Sequence, residues 1–199
     1  MIMTILNVVL ASLLFTGALA FDWKQLAKNS VIPDVIPREP NQIAEVYWGI
    51  KEADLGNEVT PDDLEEEPSV WWNPYRTEYY TVIMTNPDAP SRADPNIREF
   101  RHWHVVNIPG NSVTFGDVVA KYIGTDPPAG TGLHRYVVSV WRQKEKLRVT
   151  ENIGEDDIEP RKRFNTTKYA IDNNLIGPIA CNFVQAQNAA DASNGRRRG

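Results

Sequence analysis

Cysteine is nearly missing from this chain: Cys181 stands alone, so no intramolecular disulfide can form. A chain of 199 residues is long enough to bury a single core without such a staple. Positive charge is also in short supply. Lys and Arg number 21 against 26 Asp and Glu, a formal charge of −5. That balance disfavours nonspecific nucleic-acid binding, which draws its affinity from basic groups that displace counterions. Long apolar runs are confined to one place, MIMTILNVVLASLLFTGALA at the start, and no other segment could cross a bilayer. This run has no charged side chain, its apolar core is short for a span of about 20 residues, and Ala18 and Ala20 are small. It reads as a signal peptide over residues 1–20, cleaved after Ala20, which makes the protein secreted. Histidine is scarce too, with only His102, His104 and His134 to carry imidazole chemistry.

What is present is a soluble composition, 42% apolar and 24% charged, with no internal repeat. Asn165-Thr166-Thr167 is a glycosylation sequon, usable only on an exported chain. Asp22–Asn29 fits one amphipathic helical turn. SVIPDVIPREP follows, and its prolines favour an extended strap. IAEVYWGI and SVWW have strand composition, and the acidic TPDDLEEEP between them reads as a solvated loop or helical turn. The strongest strand candidates are Tyr79–Thr85, His104–Ile108 and Tyr136–Trp141, short runs bounded by Pro or Gly. Their continuous apolar character points to strands covered on both faces. Val113–Tyr122 fits one short helix, and Lys168–Ala170 and Ile179–Gln185 fit late strands. From Asn188 the chain has no apolar periodicity, so 189–199 is expected to be a disordered basic tail after a domain spanning 21–188.

All three histidines lie beside Pro- or Gly-rich turns. Two stiff loops that deliver His102 and His134 from neighbouring strands would form a cleft suited to an anion such as phosphate or carboxylate. Gly130 and Gly132 would let backbone N–H groups approach the same ligand. His102-Trp103-His104 on a regular strand places both imidazoles on one face. A three-histidine metal site with His134 is conceivable on that basis, but a structural His104 is the expected reading and no metal or cofactor is assigned.

TNPDAPSR, then REFRHWHVVNIPG, then GTGLHRYV resemble the signature blocks of the phosphatidylethanolamine-binding protein family, which includes the Raf kinase inhibitor proteins and secreted animal relatives. The resemblance runs over roughly residues 26 to 187. It implies a mostly β fold, with a large central antiparallel sheet flanked by a smaller sheet and a few short helices. It also implies a small anion pocket at one end. Its first block carries over to Asn86, Asp88, Pro90, Phe100 and His102, and its second to Pro127, Pro128, His134, Arg135 and Tyr136. In that reading both histidines and the Tyr136 hydroxyl donate to a phosphoryl oxygen, while Phe100 and the prolines wall the mouth. Asp88 and Arg92 are expected to brace the loop and Arg135. The resemblance further implies cis peptides at Ala89–Pro90 and Arg98–Glu99.

Three departures stand out. Asn86 replaces the family's aspartate and cannot charge-pair with a histidine. Asp126 puts a carboxylate where glycine is usual, and the family's C-terminal aromatic helix is largely missing. The expected function is a secreted, non-enzymatic module that binds a phosphate ester or phospholipid headgroup. The alternative is a protein partner, a protease or kinase inhibited through the pocket rim. Peripheral membrane contact is compatible with either, nucleic acid is not, and a monomer is expected. An enzyme built on Ser91 or Ser139 lacks any nucleophile-elbow pattern.

Overall fold

Strands buried on both faces must lie in the middle of a layered sheet. Tyr79–Asn86, Phe100–Pro109 and His134–Gln143 are buried along nearly their whole lengths. In the computed structural model, which describes residues 23–75 and 77–195, these three are neighbours in a six-stranded sheet. The expected signal peptide, its cleavage after Ala20 and the basic end Arg196–Arg198 lie outside the described residues.

In chain order the strands are Gln42–Ile43 (β1), Glu45–Trp48 (β2), Lys51–Glu52 (β3), Ser69–Trp71 (β4), Tyr79–Asn86 (β5), Phe100–Pro109 (β6), Asp117–Ala120 (β7), His134–Gln143 (β8) and Ile176–Ala186 (β9). The helices are Lys24–Lys28 (α1), Val31–Asp34 (α2), Thr166–Asp172 (α3) and Ala189–Gly195 (α4). The large sheet runs β1-β9-β8-β5-β6-β7, and a small one runs β3-β2-β4. β1 pairs parallel with β9 while the other pairings are antiparallel, so the large sheet is mixed rather than wholly antiparallel. The expected mostly β fold is otherwise as found.

Each face of the large sheet has its own core. Trp103, Met84 and Val138 pack with Val46, Trp48 and Val70 of the small sheet. On the opposite face Ile83, Trp141 and Phe183 pack with Leu26 and Val31 of the N-terminal helices and Ala170 of α3. Each fully buried large side chain contributes about 1.5–3 kcal/mol, so two such layers hold a disulfide-free chain together. Cys181 is buried in the second layer, and burial pushes its thiol pKa up.

Several local expectations are corrected. Val113–Tyr122 is not a helix: a short 3-10 turn at Val113–Phe115 precedes β7, whose Val118 and Asp117 pair with β6. Lys168–Ala170 is helical, because Asn165 Oδ1 accepts the Lys168 N–H at 2.6 Å and starts α3. The proline strap is not wholly extended, since Val31–Asp34 turns helically with a kink at Ile32. The expected loose tail is ordered at its start as α4. Asn188 Oδ1 accepts the Ala190 N–H at 3.0 Å, and the Asp191 carboxylate accepts the Gly130 N–H at 2.9 Å. Sequence periodicity cannot register an end held by such polar contacts.

The register of β6 carries the most consequential correction. Met84 pairs with Trp103, but Thr85 pairs with Arg101, so His102 is the extra residue of a β-bulge. A bulge interrupts the alternation of faces. His102 therefore stacks edge-on with Tyr136 at 5.4 Å, while His104 packs on the far face against Tyr169 at 4.6 Å. The two imidazoles do not share a face, and among the described residues no group of three metal-ligating side chains comes together.

Candidate functional site

Antiparallel pairing brings the two signature loops to one end of the sheet. Asn86 ends β5 opposite Phe100 at the start of β6, and His134 at the start of β8 pairs with Ala186 at the end of β9. Between the loops opens a cavity of about 290 Å³. Asn86, Pro90, Phe100, His102, Pro127, Pro128, His134 and Tyr136 line it, so the two imidazoles converge as the motifs imply. Phe100, His102 and Tyr136 form an edge-on stack, with ring centroids 5.0 and 5.4 Å apart. Sequence reading missed Ala89, Ile97, Ile123 and Gly124, which complete the wall. Ala89 lies within TNPDAPSR and Ile97 directly precedes REFRHWHVVNIPG, but Ile123 and Gly124 follow an edge strand that the sequence pattern reads as a helix. Asp126 lines the mouth.

Asp88, Arg92 and Arg135 are absent from the cavity wall and form its scaffold. Asp88 Oδ2 accepts the Arg135 backbone N–H at 2.9 Å and Nε–H at 2.8 Å, and Oδ1 accepts from Nη2 at 2.6 Å. Asp88 is thus a buried brace rather than a ligand contact. Burial alone would raise its pKa, but the Arg135 bonds and charge outweigh that and hold it below the usual range. Arg135 also donates to the Asn29 carbonyl and to Asp34, and Arg92 donates to the same carbonyl at 2.9 Å. Arg98, singled out in the sequence only for its peptide bond to Glu99, adds contacts of 3.5 Å to Asp34 and 3.6 Å to Asp88. The peptides at Ala89–Pro90 and Arg98–Glu99 are cis.

The polar floor is hydrogen-bonded as follows. His102 Nδ1 lies 3.0 Å from the Ile123 carbonyl, and His134 contacts Asn86 Nδ2 at 3.2 Å and Thr131 Oγ1 at 2.7 Å. Burial lowers both imidazole pKa values, that of His102 to about 4. Burial raises the Tyr136 phenol pKa, and the Tyr136 hydroxyl lies beside the buried Thr125. The glycine loop does not offer its N–H groups to the cavity. Gly130 and Gly132, both at positive φ, direct them to Asp191 of α4 at 2.9 and 3.4 Å. The two serines are structurally engaged: Ser91 Oγ accepts the Asp94 N–H, and buried Ser139 Oγ accepts from Trp141 Nε1.

Glu99, between the cavity residues Ile97 and Phe100, is a buried carboxylate that accepts from the Thr85 hydroxyl and from the Thr166 hydroxyl and N–H. Burial outweighs those bonds and raises its pKa to about 6, above the ordinary 4.5. The native state therefore binds this proton more tightly than the unfolded chain, and its stability falls as pH rises from about 4.5 through 6. Glu99→Gln keeps the shape and turns both threonine hydroxyls into acceptors. It should be about 2 kcal/mol more stable than wild type above neutrality and indistinguishable near pH 4, as read by urea unfolding across pH.

A large mixed sheet, a small covering sheet and a two-loop pocket at the sheet's end define the class, a β-rich protein with an end-of-sheet cavity. The model of the phosphatidylethanolamine-binding protein family matches residues 50–184. The Drosophila melanogaster odorant-binding protein A5 is 31% identical over 164 residues, 81% of this chain and 78% of that protein. The chain belongs to the phosphatidylethanolamine-binding protein family. Among solved structures, the phosphatidylethanolamine-binding protein of Plasmodium vivax is 25% identical with a TM-score of 0.69, covering 83% of this chain and 96% of that one. A carboxypeptidase Y inhibitor seen with its cognate proteinase is 23% identical with a TM-score of 0.71, covering 83% and 94%. That last likeness shows the fold alone. Among the described residues no helix is long and apolar enough to cross a membrane.

Proposed function

We propose that this chain is an exported, non-enzymatic binding protein whose cavity takes one small organic molecule with its polar head inward. The observation that carries this reading is the cavity itself. Its floor holds His102, His134 and Tyr136, while Pro90, Ile97, Phe100 and Pro128 form an apolar wall. Pockets that orient a ligand combine such walls with a few convergent polar groups. The family name supports a phosphoryl group as the head, in a phosphate ester or a phospholipid headgroup. The uncharged leader-like run and the sequon at Asn165, which is exposed on the surface, support export and glycosylation there.

The test is calorimetric titration of phosphoethanolamine, 4-ethylphenyl phosphate and 4-ethylphenol into wild type and the cavity-filling variant Ile97→Trp. The expected result is one-to-one binding of at least one probe to wild type, weakened about tenfold or more by the tryptophan. No binding of any probe, or binding indifferent to Ile97→Trp, would sink the reading.

A further inference from the structure

The hydrogen bonds on the cavity floor decide the head group, an argument that rests on the binding site proposed above and departs from the phosphoryl head that the family name supports. The Asp88 backbone N–H can only donate, so the Asn86 atom 2.8 Å away is Oδ1. The amide nitrogen of Asn86 is thereby turned to His134 Nδ1 at 3.2 Å. An amide nitrogen accepts nothing, so Nδ1 carries a lone pair. The other side of the ring agrees. Thr131 gives its single proton to the Pro128 carbonyl at 2.6 Å, and its oxygen must then accept from His134 Nε2 at 2.7 Å. His134 is a neutral ring protonated on Nε2, with both nitrogens spent inside the protein.

His102 has the opposite tautomer. A carbonyl only accepts, so the Ile123 carbonyl fixes a proton on Nδ1, and in the neutral ring that burial favours Nε2 is left as a lone pair. Low pKa values at both buried rings agree with neutral forms. Positive charge is missing as well. Among the described residues lining the cavity, the one with a formal charge is Asp126. The glycine N–H groups that could serve an anion are taken by Asp191. Arg135, next to His134, is turned to Asp88, Asp34 and the Asn29 carbonyl.

We propose that this cavity selects small neutral molecules bearing a hydroxyl, alcohols and phenols, over phosphate and carboxylate anions, with Asn86 as the positioning residue that sets the preference through His134. The ligand hydroxyl donates to His102 Nε2 and accepts from Tyr136, and its apolar body lies against Phe100 and the prolines. An anion meets a lone pair and the Asp126 carboxylate there, and its lost hydration goes uncompensated. Aspartate at position 86 would reverse the chemistry. A carboxylate oxygen facing Nδ1 requires a proton there, and with Nε2–H still held by Thr131 the ring becomes an imidazolium.

Two measurements on the full chain decide this. In 15N-histidine NMR at neutral pH, wild type should show His134 as the Nε2–H tautomer and His102 as the Nδ1–H tautomer, with His134 becoming imidazolium in Asn86→Asp. An imidazolium at His134 in wild type overturns the proposal whatever binds, and this readout stands even if the variant fails to fold. By calorimetry, 4-ethylphenol should bind about tenfold or more tighter than 4-ethylphenyl phosphate, and Asn86→Asp should shrink or invert that ratio. Tighter binding of the phosphate ester, lost in His102→Ala, would keep the site and overturn the selectivity. If neither probe binds, the site falls and the selectivity with it.

Discussion

Asp88→Asn will cost about 3 kcal/mol or more of unfolding free energy, lowering the melting temperature by about 6–12 °C. Asp88 and Arg135 are both fully buried, and three hydrogen bonds of 2.6–2.9 Å join them. Asparagine keeps the size but turns two N–H donors toward the guanidinium, leaving Asp34 as the remaining carboxylate on it. Breaking one side of a buried pair strands the other charge away from water, which costs far more than the intact pair contributes. The pH profile supplies a second signature. The native pKa of Asp88 is depressed, so its stabilisation is present above about pH 4 and is lost as pH falls through the native value. Wild type should lose that increment on acidification, while Asp88→Asn, already without it, should not. A difference under about 1 kcal/mol at neutral pH would show the pair to be no stronger than a surface one.

Arg161→Leu should be at least as damaging, at about 4 kcal/mol or more. Its fully buried guanidinium donates to five backbone carbonyls: Asp157 at 3.1 Å, Arg101 and His102 each at 3.1 Å, Lys121 at 2.9 Å and Gly154 at 2.6 Å. Leucine would leave all five without that donor, and each buried carbonyl left unpaired costs about 1–3 kcal/mol before water relieves any of it. The damage should reach the cavity. The His102 carbonyl also accepts the Ile123 N–H at 3.1 Å, and Ile123 forms part of the wall. Hydrogen exchange at the Ile123 amide should therefore rise along with the loss in urea stability, and Arg161→Lys, which keeps fewer donors, should fall between. An unchanged unfolding curve with Ile123 still protected would refute this role.

Neither residue was equally visible in the sequence. Asp88 stands inside the quoted loop motif, and its bracing role was expected, although its place among the ligand contacts was not upheld. Arg161 lies in EPRKRF, a charged run that carries no motif; only folding surrounds it with carbonyls from three stretches, 101–102, 121 and 154–157. The cores of β5, β6 and β8 were legible because strands buried on both faces need unbroken apolar runs. The bulge at His102 was not, since alternation assumes a regular register and only the pairing with Thr85 shows the break. The contact of α4 with the glycine loop depends on a polar capture by Asp191 that leaves no periodic trace.

By itself the sequence determined the fold class, the family and the two loops that carry the site, because local stiffness, apolar runs and motif order are properties of neighbouring residues. The tertiary structure decided which face each histidine joins, where each proton sits and which N–H groups stay free. Those depend on partners such as Asn86 and His134, 48 positions apart. Hydrogen-bond direction is settled between atoms that only the folded chain brings within reach.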